Sequence, residues 1–100
     1  MSELVKRIKE RYESTLEKIA SSAKKAGRNP ESVKLVVVTK SQPVEVVQAA
    51  IEAGAKILGE NYAEEGVTKI QSLSSFSAVE WHMIGHVQSR KAQLVAEHFN

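Results

Sequence analysis

The chain has no cysteine, few aromatic residues and no long apolar run. Without cysteine it can form neither a disulfide framework nor a thiolate metal site, and its composition is compatible with a reducing cytoplasm, the location that we expect. No segment approaches the roughly 20 consecutive apolar residues that span a bilayer. The charged amino terminus also lacks the apolar core of a signal peptide. We therefore expect no membrane partner.

Neither sign of charge predominates, because the chain has 14 basic and 12 acidic residues and a net charge of only +2. This small excess is spread evenly along the chain, which argues against a nucleic-acid partner. Only 5% of the residues are aromatic, whereas 42% are hydrophobic. Such an aliphatic composition favours helices packed on a parallel sheet. The length of 100 residues suits one domain, residues 1–100.

The amino-terminal segment has the periodicity of an amphipathic helix over residues 3–26. Its apolar positions are spaced by threes and fours: Leu4, Ile8, Tyr12, Leu16, Ile19 and Ala23. Ser2 is a suitable amino-terminal cap and Gly27 a suitable stop. We expect a packing helix with a solvated charged face.

The rest of the chain alternates between strands and helices. Consecutive apolar residues over 34–40 predict a strand that is buried on both faces, as in a parallel sheet flanked by helices. Further strands are expected at 56–58 and 79–85, and helices from Pro43 to Gly54, from Asn61 to Leu73 and over 89–98, with Asn61 and Ser89 as possible caps. The order, one helix followed by three βα units, predicts an α/β fold.

In such sheets, catalytic and ligand-binding residues lie at the carboxyl ends of the strands. Lys40 ends the first strand, and its amine is either an imine-forming group or a strand-capping charge that reaches solvent. Asn61 follows the second strand, where its amide either faces the same cavity or caps the next helix. The sequence alone leaves both pairs of alternatives open.

The third strand carries His82 and, near its end, Ile84 and His86. Alternation places all three on one face if the strand extends that far. Histidines four residues apart on a strand lie about 13 Å apart, so we expect no metal site. His82 has the pattern of a core histidine, whereas His86 is the better candidate for contact with a ligand.

Four blocks in this order resemble a known family. They are Leu35–Lys40, Glu52–Gly54 with Gly59–Tyr62, Glu80–Ser89, and Leu94–Phe99. Together they are similar to the pyridoxal-phosphate-binding homeostasis proteins, whose barrel is of the alanine-racemase N-terminal-like class. The resemblance covers nearly everything from residue 33 to residue 100.

The resemblance implies that Lys40 holds pyridoxal 5′-phosphate as a Schiff base, that Asn61 lies beside the cofactor, and that Ile84 to His86 line its pocket. It implies a role in vitamin B6 and amino-acid homeostasis without established catalysis, so no catalytic residue is assigned. Two alternatives stay open: a racemase-like pyridoxal-phosphate enzyme, or a barrel fragment or engineered scaffold that binds no ligand.

The chain also departs from the family pattern. Arg90 is unusual at its position and receives no role, and His86 stands where relatives carry other residues. The serine- and glycine-containing loops that hold the phosphate in the family are absent from the sequence. Because a complete barrel has eight strands and about 250 residues, we expect a partial barrel. Its open sheet edges would be covered by the remaining barrel segment or by self-association.

Overall fold

The computed structural model describes residues 2–100, which form a three-stranded parallel sheet with helices. The helices are α1 (Glu3–Lys25), α2 (Val44–Glu52), α3 (Ala63–Ser72) and α4 (Ala92–His98). The strands are β1 (Val37–Val38), β2 (Ile57–Glu60) and β3 (Glu80–Met83). Short 3₁₀ turns lie at Pro30–Ser32 and Ser89–Lys91. The expected order of a helix and three βα units is therefore confirmed.

The strands lie side by side in chain order, β1-β2-β3, and both pairs are parallel. In register, Val37 and Trp81 flank Leu58, and Val38 and His82 flank Gly59. The expected strand over 34–40 was too long, because β1 pairs with β2 only over Val37 and Val38. The strand expected over 79–85 also ends early, at Met83.

Glycine ends the first two helices as the sequence predicts. Gly27 and Gly54 have positive φ angles of 74° and 116°, a conformation that costs glycine little. The amides after each glycine return to the helix: Arg28 donates to the Ala23 carbonyl at 2.8 Å and Ala55 to the Ala50 carbonyl at 3.0 Å. These bonds satisfy carbonyls that the helix end leaves free.

The predicted amino-terminal caps are only partly correct. Ser2 caps α1, since its Oγ accepts a hydrogen bond from the Val5 amide at 3.1 Å. Asn61 does not cap α3, because Tyr62 occupies that position and makes no side-chain cap bond. Ser89 lies inside a 3₁₀ turn instead of capping the last helix, which begins at Ala92. Pro43 precedes α2 by one residue.

The main core lies between one face of the sheet and the helices. Leu58 and Trp81 project from β2 and β3 toward Val47 and Ala50 of α2 and Leu73 after α3. A second cluster joins α1 to α2, where Val5 packs with Ala49 and Ala53. Leu16 was expected in the buried stripe of α1, but it is exposed and lines a cleft beside the amino-terminal ends of the strands.

The opposite face of the sheet is open. Val38 is 51% exposed and Ile84 is 47% exposed. The prediction that the first strand is buried on both faces was therefore wrong for this chain, because no described element covers the side opposite the helices. Consecutive apolar residues mark a strand made for burial on both faces. The described residues form no second layer over this face of the sheet.

The outer edge of β3 is partly occupied by the last residue. Asn100 donates its amide to the Trp81 carbonyl at 2.7 Å, and its side-chain Oδ1 accepts from the Trp81 amide at 2.7 Å. These two bonds satisfy backbone groups that an edge strand otherwise presents to solvent. They also tie Asn100 to the backbone of the buried Trp81.

Candidate functional site

Lys40 lies on a turn directly after β1 and its side chain is exposed. The turn is sharp because Ser41 adopts a left-handed conformation with φ of 61°. Its backbone closes through the Gln42 amide, which donates to the Thr39 carbonyl at 3.1 Å. Thr39 faces the helices, where its hydroxyl donates to the Glu60 carboxylate, and Lys40 follows it on the turn. The amine therefore stands at the carboxyl edge of the sheet.

The loops after β2 and β3 touch one another at this edge. A Cβ atom on Gly85 would lie 2.6 Å from the carbonyl oxygen of Asn61 and 2.9 Å from its Cα. Only glycine permits that approach, because real Cβ atoms do not come so close to backbone. The Ile84 amide donates to the Glu60 carbonyl at 3.0 Å and continues the strand pairing into the loop. The structure thus brings Asn61 next to Ile84 and Gly85.

An apolar patch runs across the open face beside Lys40. A Cβ on Gly59 would meet side-chain carbons of Val36 and Ile84, each at 3.0 Å. The missing side chain at Gly59 lets these two side chains close over the middle strand. With the exposed Val38, they form an apolar surface on the open face.

The histidines do not lie as the sequence predicts. His86 is in the loop after β3 and not on the strand, so it does not share a strand face with His82. His82 is no core histidine, because its side chain is 37% exposed and its Nε2 lies 3.6 Å from a Glu80 carboxylate oxygen. Its position on the open face explains this exposure.

His86 belongs to a cleft of about 460 Å³ on the outer side of the same edge. Asn61, Tyr62, Gly85 and Lys91 also line this cleft, whereas Lys40 and Ile84 do not. Lys91 pairs with Glu64 across it. The four predicted site residues therefore divide in two: Asn61 and His86 line the cleft, whereas Ile84 lies on the open face and Lys40 on the exposed turn after β1.

A buried charged cluster lies beneath the Lys40 turn. Glu60 is fully buried and Lys69 is 3% exposed. The Lys69 ammonium donates to both Glu60 oxygens, at 3.1 and 3.0 Å, and to the Thr39 carbonyl at 2.7 Å. The Thr39 hydroxyl donates to the Glu60 carboxylate. Every buried side-chain nitrogen and oxygen in the described chain has a hydrogen-bond partner.

Sequence reasoning missed this cluster. The sequence pattern places Glu60 only in the segment that follows the second strand, and it assigns no role to Lys69. A signal was nevertheless present: α3 carries a lysine and Gly66 on the face that must meet the sheet. A Cβ on Gly66 would lie 3.3 Å from the Glu60 Cβ, so the glycine allows the helix to approach the carboxylate.

Two further findings concern the described residues 2–100. Within them, no three histidine, aspartate or glutamate side chains group closely enough to hold a metal ion. None of the helices in this range combines the length and the apolar character needed to cross a membrane.

The fold and the site define an α/β protein whose polar side chains collect at the carboxyl ends of parallel strands, the arrangement of βα barrels. No protein-family profile matches the chain. Curated relatives do: it is 44% identical to the pyridoxal phosphate homeostasis protein of Vibrio alginolyticus over 93% of its length, and 44% identical to that of Escherichia coli over 84%. The resemblance expected from the sequence is therefore confirmed.

Solved structures give the same result. A protein from Bifidobacterium adolescentis, 27% identical, superposes on 99% of the chain with a TM-score of 0.86. PipY from Synechococcus elongatus, solved with pyridoxal phosphate bound, is 35% identical over 81% of the chain with a TM-score of 0.67. The chain covers 41% and 37% of the two curated relatives and 45% and 39% of these two structures. It corresponds to part of a barrel-type fold.

Proposed function

We propose that the protein binds pyridoxal 5′-phosphate through Lys40 and serves cofactor and amino-acid homeostasis. One observation carries the proposal: an exposed lysine on a tight turn at the carboxyl edge of a parallel sheet, in a chain that is 44% identical to pyridoxal phosphate homeostasis proteins. A relative of similar fold has the cofactor bound. The cytoplasmic location stays a prediction from the sequence.

The residues present suit one end of this cofactor. Lys40 offers a solvent-accessible amine, and the adjoining patch of Val36, Val38 and Ile84 offers an apolar surface for a ring. The cofactor supplies an aldehyde that forms a Schiff base: the neutral amine nitrogen bonds to the aldehyde carbon, and the aldehyde oxygen leaves as water with the two amine hydrogens. Asn61 and His86 provide polar atoms at the adjoining loop and cleft.

The described residues offer no comparable site for the phosphate group of the cofactor. None of the described loops has the glycine-rich form that cradles a phosphate with backbone amides. We infer that the phosphate is held by chain beyond these 100 residues, in a longer protein whose remaining strands also cover the open face. Self-association is the other way to cover that face. Both are proposals about the whole protein.

The decisive experiment is trapping. The full-length protein is mixed with pyridoxal 5′-phosphate, reduced with borohydride, and digested for mass spectrometry. We expect one modified peptide, carrying the reduced cofactor on Lys40. Lys40→Ala should abolish the adduct, and the matched control Lys56→Ala, an exposed lysine at the other end of the sheet, should retain it. An adduct that persists in Lys40→Ala would contradict the proposal.

The same preparation separates the alternatives. A racemase-like enzyme would interconvert the enantiomers of alanine faster than free cofactor does, whereas a homeostasis protein would not. A ligand-free fragment or scaffold would give no adduct on Lys40, with the wild-type sequence, at modest excess of cofactor.

A further inference from the structure

The turn that carries Lys40 makes several polar contacts with the buried cluster. The Thr39 carbonyl accepts the Lys69 ammonium at 2.7 Å and the Gln42 amide at 3.1 Å, so one oxygen joins the cluster to the far side of the turn. The Ser41 amide lies 3.4 Å from a Glu65 carboxylate oxygen. Glu65 in turn lies 3.7 Å from Lys69. The two residues that flank Lys40 are thus held by α3.

A gain in stability does not explain the buried cluster of Glu60, Lys69 and Thr39. A buried ion pair contributes little net stability against an apolar pair of the same size, because removing both charges from water costs about as much as their attraction returns. Yet Glu60 is fully buried, and Gly66 leaves α3 without a side chain where the helix passes over it. The lysine is aimed at the one carbonyl that closes the turn. The geometry fits a device that fixes a conformation.

The turn needs such fixing. Ser41 has a positive φ of 61°, which is uncommon for a residue other than glycine. The strand before it is short, since β1 pairs over only Val37 and Val38. Backbone pairing beyond the strand is limited to the Thr39 amide, which donates to the Gly59 carbonyl at 2.9 Å. Without the cluster, few contacts would hold Lys40 at the sheet edge.

We propose that Glu60, Lys69 and Glu65 act as positioning residues for Lys40. Lys69 anchors the Thr39 carbonyl, Glu60 holds the Lys69 ammonium in place from within the core, and Glu65 restrains the Ser41 amide from the solvent side. The Lys40 side chain then projects over the open face from a fixed backbone. This inference rests on the proposed function for its consequence, cofactor capture, but the restraint itself is a property of the protein without ligand.

The test compares three variants of the full-length protein. Lys69→Met removes the donor and keeps a side chain of similar length. Glu65→Gln changes only the half-buried, solvent-side contact, so it should fold even if Lys69→Met does not. Leu73→Ala is the matched control, because it weakens the same helix and core from a buried position outside the cluster. Melting curves establish that each variant is folded.

Hydrogen exchange without ligand is the first readout. We expect the Ser41 and Gln42 amides to exchange roughly tenfold faster in Lys69→Met than in wild type, relative to the Val47 amide of α2, which corresponds to about 1.4 kcal/mol of lost restraint. Glu65→Gln should accelerate the Ser41 amide by a smaller factor. Leu73→Ala should leave both ratios unchanged. Equal ratios in all variants, or an equal rise in Leu73→Ala, would overturn the proposal.

The second readout is the borohydride-trapped fraction on Lys40 at subsaturating pyridoxal 5′-phosphate. Lys69→Met should lower the apparent affinity roughly tenfold, and Leu73→Ala should not. Loss of restraint without any change in trapping would overturn the claim that the cluster serves Lys40. If wild type gives no adduct, the assignment of Lys40 fails, and the exchange ratios still decide whether the cluster holds the turn.

Discussion

Glu60 and Lys69 are the charged side chains that the described fold buries, and each takes its hydrogen bonds from the other and from Thr39. A buried charge is tolerated when an opposite charge and hydrogen bonds replace its hydration. Both residues are therefore mutually dependent. Lys40 is exposed on the turn after β1 and depends on no such pairing.

Removing one charge of the buried pair should lower the free energy of unfolding far more than removing both charges. We expect Lys69→Met to lower the free energy of unfolding by about 3–5 kcal/mol, because it leaves Glu60 uncompensated, and Glu60→Gln/Lys69→Met to recover much of that loss. Urea denaturation of the four species in a double-mutant cycle measures both. Lys56→Met, at an exposed position, is the control. Additive losses in the double variant would show that the charges are not coupled.

Replacing Lys40 should leave stability nearly unchanged. The side chain is exposed, and the contacts of its turn are made by Thr39, Ser41 and Gln42. We expect Lys40→Ala to change the free energy of unfolding by no more than about 0.5 kcal/mol. Thermal melts of the two proteins check this. A larger loss would mean that failure of the variant to bind cofactor reflects unfolding.

At the scale of elements, α3 is shaped by what lies beneath it. Its inner face carries Gly66 against Glu60 and Phe99, and Lys69 one turn later. A Cβ on Gly66 would lie 2.5 Å from a ring carbon of Phe99, whose position after α4 is therefore set by the same glycine. The helix packs closely because one residue lacks a side chain.

Two opposing effects decide the outcome of Gly66→Ala. Alanine gains about 1 kcal/mol of helix propensity over glycine, whereas forcing a methyl group into a filled site costs about 1–3 kcal/mol. The contacts with Phe99 and the Glu60 Cβ lead us to expect the cost to exceed the gain, with a net loss of about 1 kcal/mol. Urea denaturation measures the difference.

Thr68→Ala supplies the control on the exposed face of the same helix, where the propensity gain is opposed only by loss of the exposed Thr68 hydroxyl bond to the Glu64 carbonyl. It should be neutral or stabilising. A Gly66→Ala variant that gains stability as well would show that α3 has room to move.

At the scale of the whole molecule, the open face of the sheet is the main structural feature. The radius of gyration is 14.7 Å, above the approximately 13 Å of a compact domain of 100 residues. The shortest extent is 21 Å, which corresponds to one sheet with one layer of helices. Such a two-layer slab buries one face of the sheet and leaves Val38 and Ile84 uncovered. Exposed apolar faces and strand edges favour pairing with more chain.

A charge on the open face should therefore act differently in two contexts. We expect the 100-residue chain to self-associate, and Val38→Glu to reduce that association in sedimentation without a large change in its melt. In the full-length protein, the same substitution should destabilise by several kcal/mol, because the charge would be buried. Gln71→Glu, exposed on α3, should change neither. A monomeric 100-residue chain with a sharp cooperative melt would contradict the expectation.

Much of the architecture could be predicted from local chemistry. Gly27 and Gly54 end their helices through positive φ angles, and α3 ends at Ser72, one residue before the expected Leu73. Strand lengths could not be predicted, because pairing needs a neighbour in register: Leu35 and Val36 are as apolar as Val37 but have no partner in β2. All four predicted site residues lie at the carboxyl edge of the sheet, but only Asn61 and His86 line the cleft there, whereas Lys40 and Ile84 do not.

The sequence by itself determined the order of elements, the glycine ends of the first two helices, and the lysine after the first strand, because periodicity and glycine conformation are local properties. Only the tertiary structure decided that Val38 is exposed, that His82 lies outside the core, and that Glu60 meets Lys69 beneath Thr39. Those outcomes depend on which surfaces face one another across residues distant in sequence. The position of Lys40 after the first strand follows from the sequence, whereas the contacts of its turn with α3 arise only in the folded structure.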